Sequence, residues 1–171
     1  MRKLILAALL ATAPACQNAD VSHVDTIEEA PHLSSIVHMS DRTMVNQLAS
    51  GFYEVESNAW RWTRQKFAVN LRPPARAAQN GAVLELQLNV PATSIRKLGT
   101  ITISANAAGT ALAPETYSKA GDYTYRRDIP ANLLGGDAVR IDFQLDKAMP
   151  PSETDQRELG LITSSVGMVS K

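Results

Sequence analysis

The dominant pattern of this chain is a regular alternation of apolar and polar residues, which begins beyond Gly51 and is typical of β-strands with one buried and one wet face. Turn-forming pairs such as Asn80-Gly81 and Ala108-Gly109 separate most of the alternating segments. The segment around Tyr123 is interrupted on its apolar face by Arg127. The pattern predicts strands in these segments: 67–71, 84–90, 101–103, 123–129, 139–145 and 162–168.

The predicted strands are not separated by an amphipathic helical pattern of convincing length. Antiparallel sheets that keep one face in water bury the other face most simply by packing on a second sheet. We therefore expect an all-β fold, a two-sheet antiparallel β-sandwich of Ig-like or jelly-roll-like type, over residues 49–171.

Residues 1–15 have the composition of a bacterial secretion signal. Arg2 and Lys3 supply positive charge, residues 4–11 form an apolar run, and small residues lead to Cys16, the only cysteine. The apolar run is too short to span a bilayer as a helix, which needs about 20 apolar residues. We expect residues 1–15 to be a cleaved signal peptide.

Cys16 is the predicted site of lipid attachment. The pair Ala15-Cys16 suits the lipoprotein peptidase, although Ala13 stands where a leucine is usual. An unpaired exposed thiol is a liability in an oxidising compartment, and a thioether bond to a lipid, with acyl chains such as palmitate, blocks the sulfur. Gln17 in place of an aspartate after the cysteine favours the outer membrane. The alternative is cleavage by signal peptidase I, which would release a soluble periplasmic or secreted protein.

Residues 16–48 are polar and weakly periodic, and we expect a flexible arm that joins the sandwich near Val37 or Val45. Residues 41–48 are compatible with a helical turn or with a first strand. All the histidines of the chain lie in this arm: His23, His32 and His38. Their spacing does not match a helical metal site, and so we expect no metal and no other cofactor.

The charge of the chain argues against a nucleic-acid partner. The sequence has 17 basic and 17 acidic residues, and cleavage after residue 15 would also remove Arg2 and Lys3, which leaves the mature protein slightly acidic. No basic run or patch is present. The expected partners are a membrane, through lipidated Cys16, and a polysaccharide or an envelope protein.

Aromatic residues crowd into one short segment: Phe52, Tyr53, Trp60 and Trp62. In a strand, Trp60 and Trp62 would share a face at a spacing of about 7 Å. The burial tendency of tryptophan favours a buried face, with Trp62 as a plug of the core. On a wet face the two indoles would form a flat platform for sugar rings, beside Tyr53 and Arg61 as further ligand-binding residues.

Two motifs occur in order along the chain: Gly51-Phe52-Tyr53-x-x-Glu56 with Arg61-Trp62-Thr63, and then Asp155-x-Arg157-x-Leu159-Gly160. With these motifs the chain resembles, over residues 48–169, a family of small bacterial β-sandwich domains that occur as standalone secreted proteins or appended to enzymes of cell-surface polysaccharide assembly. The resemblance implies a sandwich fold, a cell-envelope setting and no catalytic residues.

Asp155 and Arg157 lie between a proline-rich loop and the last predicted strand. An aspartate there can accept from loop amides, and the guanidinium fork of an arginine can hold a carboxylate. We expect a structural clamp rather than a binding site, with Glu56 pairing with either Arg61 or Arg157.

Sequence features of catalysis are weak in this chain. It has no G-x-S-x-G elbow and no phosphate-cradling glycine motif, and its carboxylates show no distinctive pairing. We therefore expect a non-enzymatic envelope lipoprotein whose sandwich binds or scaffolds an unidentified ligand. The alternative is a carbohydrate-binding module that uses Trp60 and Trp62, and a third hypothesis is an envelope hydrolase with two facing carboxylates in a cleft.

Overall fold

The computed structural model describes residues 33–171. The signal segment, Cys16, His23 and His32 lie outside the described residues. The described residues belong to one compact unit. Within the described part of the chain, no helix is long and apolar enough to cross a membrane.

The described residues fold into antiparallel strands with two short α-helices between them. The strands are β1 (Ile36–His38), β2 (Ser50–Phe52), β3 (Arg61–Leu71), β4 (Ala82–Val90), β5 (Ile101–Ala107), β6 (Thr110–Tyr117), β7 (Gly121–Ile129), β8 (Val139–Leu145) and β9 (Ile162–Ser170). Helix α1 is Ala77–Asn80, helix α2 is Ala92–Leu98, and 3₁₀ turns lie at Arg42–Gln47 and Ala131–Leu133.

Strand pairing forms two sheets that share β3. The front sheet has the order β7-β4-β9, with β1 and the beginning of β3 beside β9. The back sheet has the order β6-β5-β8-β3-β2. Arg61 and Trp62 pair with β9, whereas residues 66–71 pair with β8, so β3 passes from one sheet to the other. The predicted all-β antiparallel sandwich is confirmed.

Aromatic side chains from both sheets meet in the middle of the core. Phe67 and Phe143 of the back sheet stack with ring centroids 4.8 Å apart, and Tyr125 of the front sheet meets Phe143 edge to face at 6.3 Å. All three are buried. The alternating apolar residues of the predicted strands surround them, among them Leu84, Leu86, Ile103, Ile141 and Val166.

Arg127, which interrupts the apolar face of β7, joins the edge strands of the two sheets. Its guanidinium lies 4.3 Å from the centre of the Tyr125 ring. It donates to the carbonyls of Ala113 and Pro114 in β6, at 2.6 and 2.9 Å, and pairs with Glu115 at 2.9 Å. A side chain of β7 thus covers two backbone acceptors of edge strand β6, which hinders pairing of this part of the edge with another chain.

The sandwich begins earlier than the predicted boundary at residue 49. Residues 36–38 add to β9 as strand β1. The buried side chain of Gln47 accepts from Ser34 N at 2.8 Å and donates to Asn70 O at 2.8 Å. Asp41 caps the following 3₁₀ turn by accepting from Thr43 N at 2.9 Å. The helical-turn alternative for residues 41–48 is therefore confirmed, and this part of the predicted arm belongs to the fold.

Candidate functional site

Trp60 and Trp62 lie on the outer face of the front sheet. Trp62 pairs with Ile162 of β9, Ile162 pairs with Asn89 of β4, and Asn89 pairs with Asp122 of β7. Because cross-strand partners point to the same side of a sheet, these side chains form one row across the face. Both indoles are half-buried and neither belongs to the core cluster. The two tryptophans do share a face, but the prediction that Trp62 plugs the core is wrong.

The two indoles form an edge-to-face pair. Their ring centroids are 6.3 Å apart and their planes meet at 82°. This is a favourable geometry for aromatic side chains, because the positive edge of one ring meets the negative face of the other. The coplanar platform predicted for the wet face is therefore wrong. One indole supports the other, and a ligand ring has a single indole to stack on.

A groove of about 420 Å³ opens beside Trp60 on this face, and we call it the tryptophan groove. Its lining comes from three strands and the residue before β3: Trp60, Gln87, Leu88, Asn89, Asp122, Tyr123, Ile162 and Ser164. Asn89 Nδ2 donates to Asp122 Oδ1 at 2.8 Å, and Gln87 Oε1 accepts from Thr124 Oγ1 at 2.8 Å. These bonds orient the polar side chains of the groove.

The hydrogen bonds of the groove leave polar atoms available to a ligand. With Gln87 Oε1 and Asp122 Oδ1 occupied, the Gln87 amide nitrogen and Asp122 Oδ2 have no hydrogen-bond partner among the described residues. Donors and an acceptor therefore stand beside an indole wall, which is the combination that small polar ligands with apolar faces require. Asp122 is the charged residue of this lining, so an anionic ligand would meet an uncompensated carboxylate.

The polar residues of the tryptophan groove were not predicted as site residues. Gln87 and Asn89 occupy wet positions in the alternation of β4, and Asp122 is the second residue of β7. The alternation assigns such residues to a wet face. The alternation does not show that β9 pairs with both β3 and β4 and so places the wet face of β4 beside Trp60.

Arg61 does not reach the tryptophan groove. Its side chain points into the fold and the residue is 3% exposed. Its Nε donates to Met39 O at 3.1 Å and its Nη1 donates to Tyr53 O at 2.9 Å. Both carbonyls lie where β3 leaves the front sheet, so Arg61 satisfies backbone groups at this junction. The prediction that Arg61 binds a ligand is wrong for this reason.

Tyr53 lies in a cluster of charged side chains. The guanidinium carbons of Arg64 and Arg157 are 5.1 and 5.2 Å from the centre of its ring. Arg157 also pairs with Glu56 at 2.7 Å and with Asp155 at 2.9 Å. The predicted clamp is confirmed, and of the two arginines proposed for Glu56 it is Arg157 that makes the pair. Tyr53 is therefore held by structural contacts, and it does not line the tryptophan groove.

The Asp155–Arg157 pair predicts an acid-dependent contribution to stability. Side-chain and backbone hydrogen bonds from Arg157 lower the pKa of Asp155 from its ordinary value of 3.8. Because the folded pKa is depressed, the contribution is complete above the ordinary pKa and is lost as the pH falls through the folded pKa. We expect Arg157→Gln to lose less stability than the wild type on acidification below about pH 4. Melting temperatures between pH 6 and pH 2 measure this, and equal acid sensitivity of both proteins would contradict the clamp.

A second groove, of about 480 Å³, lies on the outer face of the back sheet, and we call it the back groove. Its polar lining includes Lys66, Asn106, Arg140, Asp142 and Gln144. Arg140 Nε pairs with Asp142 Oδ1 at 2.9 Å, and about half of each side chain is exposed. The aromatic residues that border it, Phe67 and Phe143, are buried in the core. The back groove offers charged and amide groups without an exposed aromatic wall.

Each of the two grooves is lined by one carboxylate in the described structure, Asp122 in one and Asp142 in the other. The pair of facing carboxylates that the hydrolase hypothesis requires is not formed in either groove. Among residues 33–171, no three His, Cys, Asp or Glu side chains are grouped so that they could hold a metal ion.

No protein-family model and no curated protein matches the chain. Among solved structures it is similar to TmCBM27, a carbohydrate-binding module with specific mannan recognition, at 13% identity and a TM-score of 0.47, over 81% of this chain and 97% of that one. A CBM4 structure gives 11% identity and a TM-score of 0.40, over 86% and 93%. The CBM36-1 domain of a multidomain xylanase from the hindgut metagenome of Trinervitermes trinervoides gives 8% and 0.39, over 80% and 96%. At these TM-scores the likenesses carry no inference about a ligand.

Proposed function

We propose that this chain is a carbohydrate-binding module whose tryptophan groove holds a neutral sugar ring against the indole of Trp60. The observation that carries the proposal is the position of the indole pair. Trp60 and Trp62 are partly exposed on a wet sheet face, beside a groove with amide donors and a carboxylate acceptor. An aromatic side chain that stays partly exposed beside a groove is a typical anchor of a ligand.

The geometry of the groove assigns stacking to its indole and hydrogen bonding to its polar side chains. The C–H face of a sugar ring packs on an indole, while the ring hydroxyls need hydrogen-bonding partners. Trp62 holds the Trp60 ring by its edge-to-face contact, and Gln87, Asn89 and Asp122 supply the polar partners. The carboxylate of Asp122 disfavours anionic sugars, so the proposed ligand is neutral.

A glycan array tests the proposal by measuring which glycans the protein binds. The purified protein carries Cys16→Ser, so that it cannot be lipidated. We expect binding to neutral glycans, weakened about tenfold or more by Trp60→Ala, because truncation of an aromatic anchor removes its buried contact area. Lys66→Ala in the back groove is the control and should leave binding unchanged. The glycan should be recovered intact, since the proposal includes no catalysis. Binding that is lost in Lys66→Ala and kept in Trp60→Ala would overturn it.

We also propose that the domain is held at the cell envelope by a lipid on Cys16, and the residue pattern of positions 1–17 supports this. Two or more acyl chains give stable anchoring, whereas one chain binds a membrane only marginally. Mass spectrometry of the amino-terminal peptide should find an acylated Cys16, and Cys16→Ala should release the protein from the membrane fraction. An unmodified cysteine in a soluble chain would contradict the anchor.

A further inference from the structure

The front sheet carries a second depression beyond the tryptophan groove. It measures about 170 Å³, and its lining includes His38, Glu85, Gln87, Ser165 and Val169. Gln87 lines both depressions, so they are neighbours on the same outer face.

Strand register shows how the two depressions are arranged. Asn89, Gln87 and Glu85 are successive wet positions of β4. On β9 their partners are Ile162, Ser165 and Gly167. The depressions therefore lie end to end along the seam between β4 and β9. At about 3.4 Å per residue, Asn89 and Glu85 are roughly 14 Å apart, which is longer than a single sugar ring.

At the far end of this seam, the side chain of Ile36 lies over a glycine of β9. Gly167 pairs with Ile36 on one side and with Glu85 on the other. A Cβ atom at this position would lie 2.7 Å from Ile36 Cγ1, so the Ile36 side chain occupies the space above the glycine and gives the second depression an apolar wall. Glu85 pairs with Arg126 at 2.9 Å. Its charge is therefore compensated, and a neutral ligand meets no unpaired carboxylate at this end of the seam.

We infer that the front sheet binds an interior stretch of a neutral glycan chain, with one ring on Trp60 and the next rings along the β4–β9 seam. This inference rests on the proposed function and specifies its ligand class, a linear chain rather than a single terminal sugar. Trp60 supplies the stacking contact at one end. Gln87, Ser165 and His38 supply hydrogen-bonding groups for the hydroxyls of the following rings.

The dependence of affinity on chain length tests the inference. The probes are β-1,4-linked gluco-, manno- and N-acetylglucosamine oligosaccharides of two to six units, titrated calorimetrically into the Cys16→Ser chain. We expect affinity for the bound series to rise about tenfold or more from the disaccharide to the longest member. Ser165→Leu, which fills the second depression, should reduce the affinity for the hexasaccharide to that for the disaccharide and leave the disaccharide unaffected.

Controls separate failure of this inference from failure of the proposed function. His38→Ala, at an exposed position of edge strand β1, should lower the affinity for the long probes alone. It replaces Ser165→Leu as the test of the seam if Ser165→Leu has a lower melting temperature than the wild type. Equal affinity at every length, with binding still lost in Trp60→Ala, would overturn the extended seam and leave the sugar site. Disaccharide binding that survives Trp60→Ala, or no binding of any series at millimolar concentration, would count against the proposed function itself.

Discussion

Phe143→Ala is expected to lower the free energy of unfolding by about 3–5 kcal/mol, the range for truncation of a buried phenylalanine. Phe143 is 2% exposed, stacks on Phe67 at 4.8 Å and receives the Tyr125 ring edge to face at 6.3 Å. Its removal would leave a cavity where the two sheets meet, with aromatic neighbours on both sides. Urea unfolding followed by circular dichroism measures the loss.

Trp62→Ala is the matched comparison, since it removes a larger side chain from the outer face. Trp62 is half-buried and lies outside the core cluster, so we expect a smaller loss of about 1–2 kcal/mol from its partial burial. A greater loss of unfolding free energy for Trp62→Ala than for Phe143→Ala would indicate that Trp62 is a core residue. It would contradict the position of the site on the outer face.

Gly51→Ala is expected to destabilise the fold by about 3 kcal/mol or more, with overpacking and backbone strain adding together. Gly51 has φ +76°, which is unfavourable for a residue with a Cβ atom. The added methyl group would also overlap Lys66 O and lie 2.6 Å from Phe67 Cα, and backbone atoms of a central strand cannot move aside cheaply. Thermal or urea unfolding measures the effect.

Gly99→Ala separates the two causes. Gly99 has φ +74°, and a Cβ atom there meets nothing within 4 Å. We expect only the cost of the left-handed conformation, about 1 kcal/mol. Equal losses for Gly51→Ala and Gly99→Ala would show that β2 does not pack against β3 as closely as the structure has it.

Gly51 is the first residue of the first of the two sequence motifs. Residues of both motifs meet around the beginning of β3. Arg157 holds Glu56, Arg61 donates to Tyr53 O, and Gly160 N donates to Thr63 O at 2.7 Å. The motifs therefore describe how β2, β3 and the chain before β9 are joined. They mark a structural junction, and the proposed ligand residues Gln87, Asn89 and Asp122 lie outside them.

Alternation predicted the strands that bury a full apolar face, but not those that bury little. Strand β6 lies at a sheet edge, where Leu112 and Tyr117 are its buried residues and Pro114 interrupts the pattern. Strand β1 has three residues and one buried side chain, Val37. Edge strands bury few side chains, so their periodicity is too weak to distinguish them from loops.

The candidate site was predictable only in part. The spacing of Trp60 and Trp62 places them on one face, but which face is wet depends on the pairing of Trp62 with Ile162, a hundred positions later. Arg61 shows the same limit. Its neighbours in sequence do not reveal that its buried guanidinium is satisfied by the carbonyls of Met39 and Tyr53. Pairings between distant strands decide both outcomes.

The most direct test of the sugar site uses the two indole N–H signals of the chain, which contains only two tryptophans. The ¹⁵N-labelled Cys16→Ser protein is titrated with the glycan that binds most strongly on the array, and Trp60→Ala assigns the signals. The proposal predicts a saturable shift of the Trp60 indole signal, together with shifts of Gln87 and Asn89 side-chain amides. Saturable shifts confined to Gln144 and its neighbours in the back groove, with both indole signals unmoved, would contradict it.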